Sequence, residues 1–207
     1  MNRYRAAVLL AACGLVAACG RERPVPAADE APVPGSIADK VAHAVAAGPE
    51  WIAGLATVEQ WPLADTAQFV VLRAASGSWT CFPDQPGTPR ADPLCADDQF
   101  LRWLTAWRDH ARSPQITGMA VAYALKGFQV ASATEPMKAS PDSGQSWVEL
   151  PPAVLVAMPD AGAYRGMAVK RPAAGPWVLW VGTPWAVMVV PMAEVTIPVT
   201  ATPNGRK

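Results

Sequence analysis

Residues 177–190 have the sequence Trp-Val-Leu-Trp-Val-Gly-Thr-Pro-Trp-Ala-Val-Met-Val-Val, and this stretch decides the fold. Two segments rich in β-branched and aromatic residues, 177–181 and 186–190, predict strands. Gly182 and Pro184 lie between them and favour a turn. Because a parallel pair needs a crossover of about a dozen residues or more, strands this close along the chain are expected to be antiparallel.

The rest of the chain predicts further strands and two helices. Strands are expected at 68–74, 116–125 and 154–158, where β-branched residues cluster between glycines and prolines. A first helix is expected over 37–47, and a second from the Asp97–Asp98 pair to about residue 112, both with apolar residues three or four positions apart. The predicted fold class is therefore α+β, with a largely antiparallel sheet, two helices and one disulfide-closed loop.

Composition limits the possible functions. Of the 207 residues, 51% are hydrophobic and 16% are charged, with 17 basic and 17 acidic side chains. A chain without net charge has no electrostatic driving force for general nucleic-acid binding, so no nucleic-acid partner is expected. No apolar run reaches the roughly 20 residues of a membrane-spanning helix, which excludes a multi-span membrane protein.

The N-terminus has the layout of a bacterial export signal. Arg3 and Arg5 precede thirteen apolar or glycine residues, 6–18, and Cys19 follows small residues. The site resembles the lipobox of bacterial lipoproteins, which implies that residues 1–18 are a signal peptide and that Cys19 carries the lipid. Cys13 is an alternative processing site with a shorter apolar segment, and a core helix is the other explanation for the run.

This resemblance gives the domain organisation and location. Residues 19–35 are expected to be the lipidated cysteine and a proline-rich tether, 36–200 a single α+β domain, and 201–207 a C-terminal tail. Gly20 follows the cysteine, and under the sorting rule of enterobacterial lipoproteins this implies the periplasmic side of the outer membrane, with the inner membrane as the alternative.

Two further cysteines, Cys81 and Cys95, remain in the predicted domain. In an oxidising compartment they are expected to form one disulfide. The segment between them holds four prolines and a glycine and has no helix or strand period, so it is expected to be a loop stabilised by the bridge. A redox pair is the less favoured alternative, because the spacing is not C-x-x-C.

Two motifs suggest a family. Trp79-Thr80-Cys81-Phe82-Pro83-Asp84 and Gly182-Thr183-Pro184-Trp185-Ala186 resemble the W-T-C-x-P-D and G-T-P-aromatic-A motifs of a group of uncharacterised proteobacterial secreted proteins. The resemblance implies an exported domain, and it carries over neither an activity nor any functional residue.

The sequence contains no recognised catalytic or cofactor motif, and no cofactor or metal is predicted. Asp92, Asp97 and Asp98 could supply oxygen ligands to a cation, but a turn at Asp92 and a helix cap at Asp97 or Asp98 explain them more simply. An enzyme of unrecognised type is the alternative function. Its only candidate groups are Asp84, Asp97, Asp98 and His110, of which His110 is more simply placed at a helix C-terminus.

The number of tryptophans is unusually high. The chain has nine, and Trp177 and Trp180 lie three apart on a predicted strand, which places them on opposite faces. Together with Trp185 they could form an exposed aromatic platform for a sugar or a flat apolar ligand, although packing in the core explains them more simply. The predicted function is a non-enzymatic, lipid-anchored envelope protein that binds a partner protein or a small ligand.

The lipid anchor gives the first testable prediction. Cys19→Ser removes the sulfur that would be acylated, so we expect the variant to be lost from the membrane fraction or mislocalised. Membrane fractionation and intact mass measurement check this. Unchanged fractionation, or a wild-type chain without fatty acid, would contradict it, and Cys13→Ser tests the alternative site.

Overall fold

The computed structural model describes residues 35–62 and 68–192. The predicted signal peptide, Cys19, the tether up to residue 34, and residues 193–207 lie outside the described residues. Among the described residues, no helix has the length and apolar character needed to cross a membrane.

The described chain forms helices and strands in an α+β arrangement. The helices are α1 (Ile37–Val45), α2 (Glu50–Ala53) and α3 (Asp98–Arg108), with a short 3₁₀ helix at Ala161–Tyr164. The strands are β1 (Thr57–Gln60), β2 (Val70–Arg73), β3 (Trp79–Phe82), β4 (Leu94–Asp97), β5 (Ala120–Ala124), β6 (Phe128–Val130), β7 (Val148–Leu150), β8 (Ala153–Ala157), β9 (Trp177–Leu179) and β10 (Val187–Pro191).

Eight strands form one sheet in the order β2-β1-β3-β4-β5-β8-β10-β9, and β6 and β7 form a separate hairpin. Every neighbouring pair in the large sheet is antiparallel except β1 with β3. The predicted α+β class with a largely antiparallel sheet is confirmed. The pair that suggested it, β9 and β10, is antiparallel, with Val187 opposite Leu179 and Val189 opposite Trp177.

The second predicted helix forms, but it ends four residues earlier than expected. Asp97 begins it as the N-cap, accepting a hydrogen bond from Phe100 N at 2.6 Å. At the other end, His110 N donates to Trp107 O and Ala111 N donates to Ala106 O, the bonding pattern of a Schellman cap. His110 occupies the left-handed position of this cap with a φ of 50°, so α3 ends at Arg108.

Small side chains line the face of the sheet that packs on α3. Six alanines on β4, β5 and β8 are buried there: Ala96, Ala120, Ala122, Ala124, Ala153 and Ala157. From α3, Phe100, Trp103 and Leu104 extend into the same cluster. Burial of a side chain such as Phe100 or Leu104 contributes about 1.5–3 kcal/mol, so this contact supplies a large part of the driving force.

The opposite face carries the disulfide and the first helices. Cys81 of β3 lies directly opposite Cys95 of β4, with 4.0 Å between their Cα atoms, and the predicted disulfide is confirmed. Both cysteines are fully buried against small residues of α1 and α2, including Ala44 and Ala53. A Cβ on Gly48 would lie 3.2 Å from Cys95 Sγ, so the chain between α1 and α2 approaches the bridge closely.

The disulfide gives the second prediction. The chain-entropy model assigns about 3 kcal/mol to a closed loop of this length, and both sulfurs are also packed in the core. We therefore expect Cys81→Ala/Cys95→Ala to lower the free energy of unfolding by about 3 kcal/mol or more in urea denaturation. Wild type in reductant serves as the control for the covalent bond alone. A loss below about 1 kcal/mol in both samples would contradict the prediction.

Candidate functional site: an aromatic-lined cavity

A cavity of about 300 Å³ lies between α3, the alanine-lined face of the sheet and the β6–β7 hairpin. Its volume is at the lower end of small-molecule sites, which enclose about 300–1,000 Å³. The lining is mainly aromatic and aliphatic, and the aromatic side chains are Trp61, Phe100, Trp103, Trp107, Phe128, Trp147 and Trp180.

Helix α3 supplies one wall of the cavity. Phe100, Trp103, Leu104 and Trp107 all line it, and their spacing of three and four residues places them on one helical face. The sheet supplies the facing wall, including Leu155 from the strand that carries two of the buried alanines. The sheet residues that face the cavity are thus large aliphatic side chains, which also include Leu179 and Val187.

Residues 131–139, here called the bridging segment, contribute another part of the lining. Two cavity tryptophans attach this segment to the body of the protein. Trp180 Nε1 donates to Ser132 O at 2.7 Å, and Trp107 Nε1 donates to Pro136 O at 2.7 Å. The segment is therefore held at both the end of α3 and the end of β9.

Two other cavity tryptophans have unsatisfied donors. Among the described residues, neither Trp61 Nε1 nor Trp103 Nε1 has a hydrogen-bond partner. Both side chains are buried, with exposed fractions of 4% and 3%. Buried donors are almost always paired in folded proteins, so these two N–H groups are exceptions within the core beside the cavity.

The charged residues that line the cavity form ion pairs. Arg108 Nε lies 2.7 Å from Asp109 Oδ1, and this hydrogen bond lowers the pKa of Asp109. Lys138 Nζ contacts Asp142 and Glu135 at 2.6 and 2.8 Å, and these bonds raise the pKa of Lys138. The charges of Arg108, Glu135 and Lys138 are thus neutralised by partners within the protein.

The three tryptophans considered for an exposed platform are buried. Trp177, Trp180 and Trp185 are exposed by only 3%, 6% and 4%, so they do not form an exposed surface. Strand β9 ends at Leu179, because Trp180 adopts a φ of 54° and leaves the strand, so the assumption of strict alternation fails there. Trp180 lines the cavity, whereas Trp185 packs edge-on against Trp103 at 5.3 Å.

The side chains considered as candidate catalytic groups do not lie together in one site. Asp97 and Asp98 lie at the start of α3 and His110 lies beyond its end, and a helix of 11 residues is about 16 Å long. Of these groups only His110 lines the cavity. Asp97 instead joins α3 to the sheet, since its Oδ2 accepts a hydrogen bond from Val121 N, and burial raises its pKa.

Asp84 belongs to a separate carboxyl pair with Asp92, inside the disulfide-closed loop. Asp92 is 1% exposed and does not simply begin a turn, as the sequence suggested. Its Oδ1 accepts hydrogen bonds from Gln85 N and Thr88 Oγ1, and its N donates to Asp84 Oδ1. Burial, with Asp84 adding to it, raises the pKa of Asp92 to about 8.

The proposed cation ligands do not converge. Within the described ranges, no group of three or more His, Cys, Asp or Glu side chains is placed to hold a metal ion. Asp92 interacts with Asp84, while Asp97 caps α3. The simpler explanation of Asp97 as a helix cap is confirmed.

The cavity was not predicted from the sequence, although the sequence contains one signal of it. Trp103 and Trp107 are one helical turn apart, which places them on a shared helical face. No family model matches the sequence, and neither curated proteins nor solved structures gave a match. A functional assignment therefore rests on the geometry of the site.

The buried carboxyl gives the third prediction. Between about pH 4 and pH 8 folded Asp92 keeps a proton that the unfolded chain releases, so this group's contribution to stability falls as pH rises through that range. Asp92→Asn keeps a neutral group of the same shape. We expect its free energy of unfolding to rise relative to that of wild type as pH increases from 5 to 9, by a few kcal/mol in urea denaturation.

Asp98→Asn, which removes an exposed carboxylate at the start of α3, is the control for losing one negative charge. A difference between wild type and Asp92→Asn that stays constant from pH 5 to pH 9 would contradict the prediction.

Proposed function

We propose that this protein is a lipid-anchored lipoprotein of the cell envelope whose domain binds a small apolar ligand in the aromatic-lined cavity. The single observation that carries the binding function is the cavity itself. It is concave, its walls are mainly apolar, and a few polar groups line it, which is the usual constitution of a small-molecule site.

The cavity favours a small ligand over a protein partner. A protein partner would require an accessible patch, whereas Trp177, Trp180 and Trp185 are buried. The cavity also favours binding over catalysis. Its ionisable lining residues are Arg108, His110, Glu135 and Lys138, and three of these already take part in ion pairs.

The proposed location rests on the N-terminal sequence. Arg3 and Arg5, the apolar run and Cys19 support export and lipidation, and Gly20 supports the outer membrane. The Cys81–Cys95 disulfide supports an oxidising compartment such as the periplasm. The two motifs that resemble those of secreted proteins favour the same compartment.

Filling the cavity tests the binding function. In Ala131→Phe and Leu179→Phe a larger side chain replaces one that lines the cavity, so we expect both variants to lower the affinity for an apolar probe, 2-isopropenylnaphthalene, by about tenfold or more. Equilibrium dialysis of the full chain in lipid nanodiscs measures binding, with empty nanodiscs as the blank.

Ala163→Phe makes a matched addition at an exposed site in the 3₁₀ helix and should bind as wild type does. Absence of binding by wild type above the blank, or equal binding by all four proteins, would overturn the proposed function.

A further inference from the structure

Helix α2 and the turn after it carry two large apolar side chains on their outer surface. Trp51 is 73% exposed and Leu55 is 70% exposed. The two lie four residues apart along continuous helical turns, so they share one face, here called the outer face of α2, together with exposed Gly54. The opposite face is buried and consists of Ile52, Ala53 and Ala56. A helix that is apolar on all sides is normally buried, so the outer face is expected to have a partner.

Trp51 differs from every other tryptophan in its exposure. All nine tryptophans lie within the described residues, and the other eight are buried or half-buried. An indole presents one of the largest apolar surfaces of any side chain. Packing within the domain explains the other eight, but it does not explain Trp51.

The outer face of α2 is held firmly in place. Arg73 Nη2 of β2 donates to Ala53 O at 2.9 Å and to Ala56 O at 2.7 Å. At the other end, Ile52 N and Ala53 N both donate to Pro49 O. The exposed side chains therefore project from a fixed segment of backbone, and not from a frayed helix end.

The charge of this segment does not favour an ionic partner. Between residues 50 and 56, Glu50 is the only ionisable residue. The guanidinium of Arg73 is directed to the two carbonyls on the inner side. The outer face thus fits an apolar surface that does not require opposite charge.

The proposed tether joins the domain on the same side. Residues 20–35 separate Cys19 from Ser36, the N-cap of α1. Both α1 and α2 pack on the disulfide-bearing face of the sheet, and Ile37 at the start of α1 is 61% exposed. Sixteen residues span at most about 55 Å, so a lipid on Cys19 keeps these helices near the bilayer surface.

A weak contact is sufficient for a domain that is already anchored. A short linker gives an effective concentration on the order of millimolar, so a contact with a dissociation constant of about 1 mM is occupied much of the time. Tryptophan is enriched at membrane–water interfaces, because its ring is apolar and its N–H can remain hydrated. Leucine adds apolar area beside it.

We infer, resting on the proposed lipid anchor, that the outer face of α2 is a membrane-contact surface. Trp51 and Leu55 insert into the interface of the bilayer that holds the lipid of Cys19. This contact turns the disulfide-bearing face of the sheet toward the membrane. The aromatic-lined cavity, on the other face, is then directed away from the bilayer.

Quenching by brominated lipid tests the contact. The full lipidated chain is reconstituted in phosphatidylcholine vesicles, with or without bromine atoms on the upper part of the acyl chains, which quench indoles that touch them. We expect bromination to reduce wild-type tryptophan fluorescence by about the share of one tryptophan in nine, and to leave Trp51→Phe unchanged. Trp79→Phe removes a half-buried indole on the same face of the sheet and should be quenched as wild type is.

A second variant tests the face while keeping the indole. Leu55→Asp places a charge where the bilayer would contact the protein, so we expect it to reduce the quenching by about half or more. Val169→Asp makes the same change at a side chain that is 55% exposed, between the 3₁₀ helix and β9. It should retain wild-type quenching.

The outcomes separate the contact from the anchor. If mass measurement shows a lipid on Cys19 and wild type is not quenched, or if Trp51→Phe is quenched equally, the inference is wrong and the proposed anchor stands. A dimer in detergent that Leu55→Asp disrupts, without quenching by lipid, would assign the face to a second copy of the chain and also overturn the inference. If wild type carries no lipid and does not bind the vesicles, the anchor and the inference fail together.

Discussion

The contact between α3 and the alanine-lined face of the sheet is the constraint on which the rest of the structure depends. Six buried alanines on β4, β5 and β8 keep this face shallow, and Phe100, Trp103 and Leu104 fill the space above it. The same helix serves both the core and the cavity, because Phe100, Trp103 and Leu104 belong to the core cluster and also line the cavity.

The disulfide-closed loop extends from one face of the sheet to the cavity on the other face. Its bridge lies on the face covered by α1 and α2, whereas Gln85 lines the cavity on the other face. Between them, the buried carboxyl of Asp92 organises the loop through Gln85 and Thr88, and Arg90 contacts Glu149 of the β6–β7 hairpin at 3.0 Å. The loop is thus held by internal hydrogen bonds as well as by the covalent bond, so both contribute to the shape of the cavity wall.

Sequence reasoning predicted the parts of the fold that local signals determine. The α3 N-cap at Asp97, the antiparallel pair at 177–190 and the Cys81–Cys95 bridge each depend on a few neighbouring residues or on the pairing of two remaining thiols. Strands such as β1, β3 and β4 were missed because these short segments lack the continuous apolar run, Val-Val-Leu, that identified β2. Their pairing is fixed by tertiary contacts, which a local pattern does not contain.

The candidate site was harder to predict because it is an unfilled space between segments that lie far apart in the sequence. Trp61, Trp103 and Trp180 come from different parts of the chain, and nothing in their local sequence distinguishes an indole with a carbonyl partner from one without. An exposed strand face was one possible position for Trp180, but this residue has a left-handed backbone conformation and its indole bonds the bridging segment. Core packing and ligand binding use the same aromatic residues, so the number of tryptophans does not distinguish the two roles in this domain.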